Sequence, residues 1–317
     1  MNVLFFGTPD WAVPSLEALA ASSHRVVAIV TAPDAPSRRS RTPQPPPVKR
    51  VAGRLGLGPV LQPATLRGDA AREPLLAFAP DALAVVAYGR ILPGRLLDAP
   101  PFGGVNLHFS LLPRHRGASP VQHTLWAGDA LAGVTTMRME RGLDTGPTYL
   151  RKSLPVEPED DAGSLGARLA RIGAPLLVET LDRLAAGTLA PEPQDPAGVS
   201  WAPPLTRAMG EVDWSGDAAE IARRVRAFVP WPPVMAVGAK GAVRLLRAAA
   251  LEETAPPGAA PGTVLRRVGD AIDVACGGGT LRVVELLPEG GRPMTAAAAL
   301  AGRHVELGGR LGRWSGA

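Results

Sequence analysis

Short apolar runs alternate with stretches of helical spacing from Val3 to Ala186, and that alternation leaves few architectures open to the chain. Val3 to Phe6 is an apolar run that stops at Gly7; Pro9 and Asp10 then suit a turn, and Ala12 to Ala21 takes helical spacing. Arg25 to Thr31 and Ala82 to Ala87 read as strands, Pro59 to Leu61 as a short one, and Ala70 to Phe78 as a helix among them. Val105 to Phe109, Val134 to Met139 and Thr148 to Leu154 are further strands. Pro120 to Ala127 is a helix, and Ser164 to Ala186 a long amphipathic one carrying Leu165, Leu169, Ile172, Leu176, Leu177 and Leu184. Strands alternating with helices imply a parallel α/β sheet with right-handed crossovers.

The pattern breaks between Leu189 and Leu205, where prolines at 191, 193, 196, 203 and 204 describe an extended linker better than a packed element. Beyond it, Ala218 to Phe228 spaces as a helix. Short runs follow at Val234 to Val237, Val243 to Ala248, Gly262 to Val268, Ala271 to Ala275 and Leu281 to Leu287, with Gly or Pro between them, as in a small β-barrel. The expected division is a first domain over 1–188, a linker over 189–205 and a second domain over 206–317. A chain of 317 residues with 46% apolar content can fill two such cores.

Several classes are excluded by what surrounds this pattern. Cys276 is the single cysteine, so neither an internal disulfide nor a multi-cysteine zinc site is expected, and a reducing cytoplasm fits. Met1 to Gly7 reaches Asp10 without a basic region or a long apolar one, and nowhere do enough apolar residues run together for a membrane helix. His24, His115, His123 and His304 make no metal-ligand spacing, so no metal is expected. Gly7-Thr8-Pro9 ends a strand before a helix but lacks G-x-G-x-x-G, which argues against a dinucleotide. A net charge of +5 is spread along the chain and says little about nucleic acid, except where Arg38, Arg39, Arg41, Lys49 and Arg50 gather in one Pro-rich stretch.

The chemistry concentrates in Val105 to Pro113, VNLHFSLLP, where Asn106 and His108 stand two apart on a strand and so point to one side. Two residues satisfied at a polar sheet edge would look the same. The neighbours are less ordinary: Ser110-Leu111-Leu112-Pro113 runs into Arg114, Arg116 and Gly117, and Gly142-Leu143-Asp144-Thr145-Gly146 is a glycine-bracketed loop holding one acid. These segments resemble the folate-dependent formyltransferase family, whose signature is Asn-x-His-x-Ser-Leu-Leu-Pro-x-x-Arg-Gly with Asp-Thr-Gly after a later strand. The resemblance implies a Rossmann-like formyltransferase domain followed by an OB-like barrel, with 10-formyltetrahydrofolate as donor. It further implies that Asn106, His108 and Asp144 are the catalytic trio, that Ser110, Leu111, Leu112 and Pro113 line the folate site, and that Arg90, Ile91 and Leu92 border the pterin.

These residue types suit that reaction. A neutral amine attacks an amide-like carbonyl, an oxyanion forms, and a proton must reach the departing nitrogen. Asn106 can donate to the oxyanion, a role worth about 2.7–4 kcal/mol where such donors have been removed. Histidine titrates near neutrality, so His108 can polarise the oxygen or relay protons, and Asp144 would orient the ring.

The acceptor must be read elsewhere. Phe6-Gly7-Thr8-Pro9-Asp10, and Pro33-Asp34 leading through the basic stretch to Pro46-Pro47-Val48-Lys49, resemble the branch of the family that formylates methionyl initiator tRNA. This implies a loop wedged against the tRNA acceptor end, with Arg39 at its key position and Arg38, Arg41 and Lys49 around it. Guanidinium groups can clamp phosphates or stack on unpaired bases. Val212-Asp213-Trp214 and Arg226 to Pro232 match the opening of the family's C-terminal barrel, so the resemblance covers almost the whole chain. Trp214, Phe228 and Trp231 read as apolar anchors of that barrel, and Arg223, Arg224, Arg226, Arg244, Arg247, Arg266 and Arg267 as sources of salt-sensitive backbone contacts. Pro204, Glu211 and His115 depart from the usual lysine, basic residue and tryptophan; all three lie outside the trio. A sugar-amine formyltransferase would keep the trio without the Arg39 insertion, a formate-releasing hydrolase would need no amine, and an RNA-binding module would leave the trio unexplained. The expectation is a cytoplasmic monomer away from membranes, acting on folate and methionyl initiator tRNA.

Overall fold

The first apolar run forms β1 (Asn2–Gly7), a central strand whose Val3, Leu4, Phe5 and Phe6 are wholly buried on alternating faces. The structure, a computed structural model, describes residues 1–37 and 40–315. After β1 the chain makes α1 (Val13–Ala20), β2 (Arg25–Val30), a hairpin of β3 (Ala35–Ser37) and β4 (Ser40–Gln44), α2 (Pro47–Arg54) and β5 (Val60–Leu61). It continues through α3 (Asp69–Leu76), β6 (Ala82–Val86), α4 (Gly94–Leu97), β7 (Gly104–His108), α5 (Pro120–Ala127), β8 (Leu131–Arg138), β9 (Thr148–Pro155) and α6 (Ala162–Ala185).

These strands form one sheet in the order β5-β2-β1-β6-β7-β8-β9. It is parallel from β5 to β7, while β8 and β9 join antiparallel. The connection between β8 and β9 holds no helix, and a parallel return needs a crossover of a dozen residues or more. On one face Leu4, Phe6, Ala28, Val30, Leu83 and Val85 pack with Leu66, Leu75, Tyr88, Leu92, Leu96 and Leu97 in a single apolar cluster. On the other, Leu107 of β7 presses on α6 at Gly173, where an added Cβ would stand 2.8 Å from the leucine's Cδ2. Asn106 pairs with Val85 across the ladder and shares its face, opposite Leu107.

The chain divides into two compact units, one of residues 1–120, 131–155 and 165–203, the other of 121–130, 156–164 and 204–317. The second contains α7 (Ala218–Ala227), β10 (Val234–Gly238), β11 (Gly241–Leu251), β12 (Val264–Val268), β13 (Ala271–Ala275), β14 (Thr280–Pro288), β15 (Met294–Thr295), α8 (Ala296–Ala301) and β16 (Gly312–Arg313). Asp217 caps α7 by accepting from the N–H groups of Ala219 and Glu220. Its antiparallel sheet runs β12-β13-β14-β11-β10-β16, with β15 on β14. The sheet curls shut where Val264 N–H donates to Gly309 O at 2.9 Å and Leu311 N–H to Gly262 O at 2.8 Å, next to the two end strands. Closure removes exposed edges and leaves Leu245, Ile272, Val274, Leu281, Val283 and Leu286 inside. Trp214 and Phe228 are buried with them, whereas Trp231 is 40% exposed. No helix among the described residues is long and apolar enough to cross a membrane.

Candidate active site

β7 ends with His108, whose side chain is buried and anchored at one ring nitrogen. Nε2 lies 2.9 Å from the carbonyl oxygen of His115, and Nδ1 lies 3.7 Å from Oδ2 of Asp144. That same carboxylate oxygen accepts the N–H of Gly117 at 2.9 Å. The turn that returns the chain from His108 to His115 is held by polar groups of its own and of β8. Thr135 Oγ1 donates to Ser110 O (2.7 Å) and accepts from Leu112 N–H (3.1 Å), Ser110 Oγ donates to Arg114 O (2.6 Å), and the Leu112–Pro113 peptide is cis.

Two non-glycine residues here adopt left-handed backbone, His115 at φ 56° and Asp144 at φ 51°. Such residues cost roughly 1–3 kcal/mol each and persist only where the surroundings enforce them. The enforcement is visible. His115 N–H donates to Ser200 Oγ (2.8 Å), Arg116 N–H to Ser200 O (2.9 Å) and Ala202 N–H back to Arg116 O (2.7 Å). On the other side Gln194 Nε2 donates to the carbonyls of Asp144 (2.9 Å) and Gly146 (2.6 Å).

The residues singled out in the sequence are placed as follows. His108 and Asp144 come together, and Asn106 is half-buried on the face of the sheet opposite Leu107, two positions before His108. Ser110 and Leu112 are buried in the turn, while Leu111 lies over Gly133 and Pro113 against Gly198. Arg90 donates to the carbonyls of Pro63 (2.7 Å) and Ala64 (3.1 Å), Ile91 is 87% exposed, and Leu92 belongs to the apolar cluster. Arg38 and Arg39 lie outside the described residues, as does the side chain of Arg41. Lys49 is held by Asp34 at 2.9 Å and by Gln62 at 2.7 Å.

In the second unit several arginines are engaged internally. Arg224 pairs with Glu220 and lies over Trp126, Arg226 donates to Pro158 O and Asp160 O, Arg244 to Pro230 O, and Arg266 pairs with Asp273 and Glu253. Among the described residues no cluster of three or more His, Cys, Asp or Glu could hold a metal ion. Sequence reasoning missed Thr135, Gln194 and Ser200. The last two sit in the Pro-rich stretch, where nothing in the sequence sets them apart from the neighbouring polar residues Glu192 and Asp195.

Comparison with known proteins adds to this geometry. The family model described as formyl transferase matches residues 1–181, and that described as formyl transferase, C-terminal domain, matches residues 204–304. The methionyl-tRNA formyltransferase of Heliobacterium modesticaldum is 44% identical, covering 98% of this chain and 100% of its own length. That of Halorhodospira halophila is 48% identical, over 97% and 98% respectively. Among solved structures, methionyl-tRNA formyltransferase from Clostridium thermocellum shares the fold with a TM-score of 0.55 at 15% identity, covering 78% of this chain and 93% of that one. An N-formyltransferase from Helicobacter canadensis, solved with folinic acid and dTDP-3-aminofucose, has a TM-score of 0.62 at 14% identity, over 89% of this chain and 98% of that one.

Proposed function

The chain belongs to the methionyl-tRNA formyltransferases of the formyl transferase family, and we propose accordingly that it transfers the formyl group of 10-formyltetrahydrofolate to the α-amine of methionyl initiator tRNA. The product, N-formylmethionyl-tRNA, serves translation initiation. The observation that carries this reading is identity of 44–48% running through both units to relatives of that one activity. The N-formyltransferase from Helicobacter canadensis shares the fold alone, at 14% identity.

Each residue has a part in the chemistry. The folate supplies the formyl group as substrate. The residues present suit it: a half-buried carboxamide, Asn106, stands on the strand that carries His108, and Ile91 offers an exposed apolar surface beside buried Leu92. Asn106 donates to the formyl oxygen as negative charge gathers there. His108 acts through its Nδ1 edge, because Nε2 is engaged by the His115 carbonyl. Asp144, with its carboxylate anchored by Gly117 N–H, orients that edge and balances the charge on the ring when it carries two protons. Arg90 and Leu92 fix the loop around Ile91, and Ser110 to Pro113 shape the floor of the folate site.

The sequence between Pro36 and Thr42, with Arg38, Arg39 and Arg41, is the segment we assign to the acceptor end of the tRNA. Lys49, tied to Asp34, steadies the segment where the hairpin rejoins the sheet. Residues 1–188 carry the chemistry and 206–317 the tRNA-binding barrel, joined through 189–205. The enzyme is a cytoplasmic monomer, a state that sedimentation of the pure protein tests directly.

The deciding experiment supplies 10-formyltetrahydrofolate with methionyl initiator tRNA, with methionyl elongator tRNA, or with no acceptor, and follows formyl-methionine and free formate. Formylation confined to the initiator is the expected result. Folate consumption without tRNA formylation would move the acceptor to a small amine or to water.

A further inference from the structure

Gln194 comes from the Pro-rich stretch, far in sequence from the trio, yet both polar atoms of its side chain are engaged, one at Arg116 and one at the Asp144 loop. Its Oε1 accepts Nε and Nη2 of Arg116 at 3.0 and 2.8 Å. A guanidinium can only donate, so this end of the amide must be the oxygen, and the other end the NH2. The two hydrogens of that NH2 then serve two carbonyls, Asp144 O at 2.9 Å and Gly146 O at 2.6 Å. The amide orientation is thus dictated by its partners.

Around Asp144 these contacts close a ring. The backbone of Asp144 is held by Gln194, Gln194 is held by the Arg116 side chain, and Gly117, the next residue, donates its N–H to the Asp144 carboxylate at 2.9 Å. Asp144 stands in left-handed backbone at φ 51°, which demands external support. Its carboxylate lies 3.7 Å from His108 Nδ1, so a small rotation of the loop would change that approach directly.

We propose that Gln194 is a positioning residue for formyl transfer, setting the place of the Asp144 carboxylate beside His108 by holding the backbone that bears it. The proposal rests on the assignment of His108 and Asp144 to catalysis made above. It gives the Pro-rich stretch that closes the first unit a share in the active site that its composition does not suggest.

The test is single-turnover formylation of methionyl initiator tRNA by the full chain at saturating 10-formyltetrahydrofolate, with binding of both substrates measured separately. Gln194→Ala is expected to slow transfer on the order of 10²-fold, the scale of a misplacement near 1 Å, with both dissociation constants within about threefold of the parent. Gln194→Glu keeps the bulk and the Arg116 pairing but lacks the N–H groups, and should be as slow. In an Asp144→Ala background, neither change should slow transfer much further, because the group being positioned is gone. A full additional loss in that background, or a Gln194→Glu enzyme as fast as the parent, overturns the proposal. If Asp144→Ala alone transfers at the parental rate, the assignment of Asp144 fails first and takes the proposal with it, a result distinguishable from the other two. Should Gln194→Ala not fold, the near-isosteric Gln194→Glu decides.

Discussion

Nε2 of His108 lies 2.9 Å from the carbonyl oxygen of His115, and because a carbonyl only accepts, this nitrogen carries a hydrogen and Nδ1 is the edge that faces Asp144. The ring is therefore held by one nitrogen and, on the proposed assignment, works with the other. His108→Ala should lower turnover on the order of 10²-fold or more while tRNA affinity stays near the parental value. Steady-state kinetics with a filter-binding measurement checks both, and near-normal turnover would remove His108 from the chemistry.

Gly117 has little room to change. Its φ is +126°, a value side chains rarely adopt, and a Cβ there would meet the Ala202 carbonyl oxygen at 2.5 Å. Backbone cannot move aside as a side-chain tip can. Gly117→Ala should cost roughly 1–3 kcal/mol of stability and also reduce turnover, since the displaced N–H serves Asp144. Urea denaturation and kcat measured on the same preparation would show whether the two losses travel together.

Stability should weaken on mild acidification because of His24. This ring is buried, with Nδ1 3.3 Å from the Met1 amino group and Nε2 3.1 Å from Asp182. Burial, then the charge of that amino group, holds its pKa below the usual 6.5, against an upward pull from Asp182. The unfolded chain therefore binds this proton at higher pH than the folded one. The contribution is intact above 6.5 and shrinks as pH falls from there toward the folded value. Thermal midpoints should drop between neutral pH and about pH 5.5, where a histidine at its unperturbed pKa is largely protonated. His24→Gln should flatten the drop; an equal slope in both proteins would contradict this account.

A second pH effect belongs to the barrel. Asp273 is fully buried and accepts from Arg266 Nε at 2.8 Å and from Arg282 Nε and Nη2 at 2.8 and 3.0 Å. Burial pushes its pKa up, but hydrogen bonds from Arg282 and then Arg266 outweigh burial and hold it below the usual 3.8. Its contribution is present above 3.8 and is lost as pH falls through the folded value. Asp273→Ala should destabilise at neutral pH on the order of 2 kcal/mol, as expected for hydrogen bonds to a charged group. The gap between variant and parent should narrow in strong acid, which unfolding curves at several pH values will show.

Arg39→Ala should raise KM for charged initiator tRNA several-fold with little effect on folate binding, and the loss should shrink at higher salt, as for a lost phosphate contact. An unchanged kcat/KM for the tRNA would take this segment out of the reaction.

How much of this was legible in the sequence depended on how local each signal is. The strand that carries Asn106 and His108 announces itself by an apolar run and a two-residue spacing, and the closed barrel by short runs between turn residues. The antiparallel entry of β9 was readable in retrospect from the short connection between Arg138 and Thr148. The β3–β4 hairpin and α2 lie in a stretch of prolines and arginines without periodicity, and α8 is nearly all alanine, so neither pattern nor contrast marks them. Gln194 and Ser200 were invisible for another reason. Their roles exist only through hydrogen bonds to backbone 48 to 85 residues away, which no local rule reports.

The ring around Asp144 also fixes an order of events during synthesis. The chain is made from its N-terminal end, so all three members of the trio have emerged once residue 144 is out. The groups that hold Asp144 and His115 in left-handed backbone follow later, at Gln194 and Ser200, and the strand-like pairing with Arg116 is complete only at Ala202. A nascent chain halted between these points would carry the whole proposed trio and still lack the contacts that hold Asp144 and His115. On the proposed assignment, alignment of the trio therefore arrives at one step of translation, when the last residues of the first unit clear the ribosome.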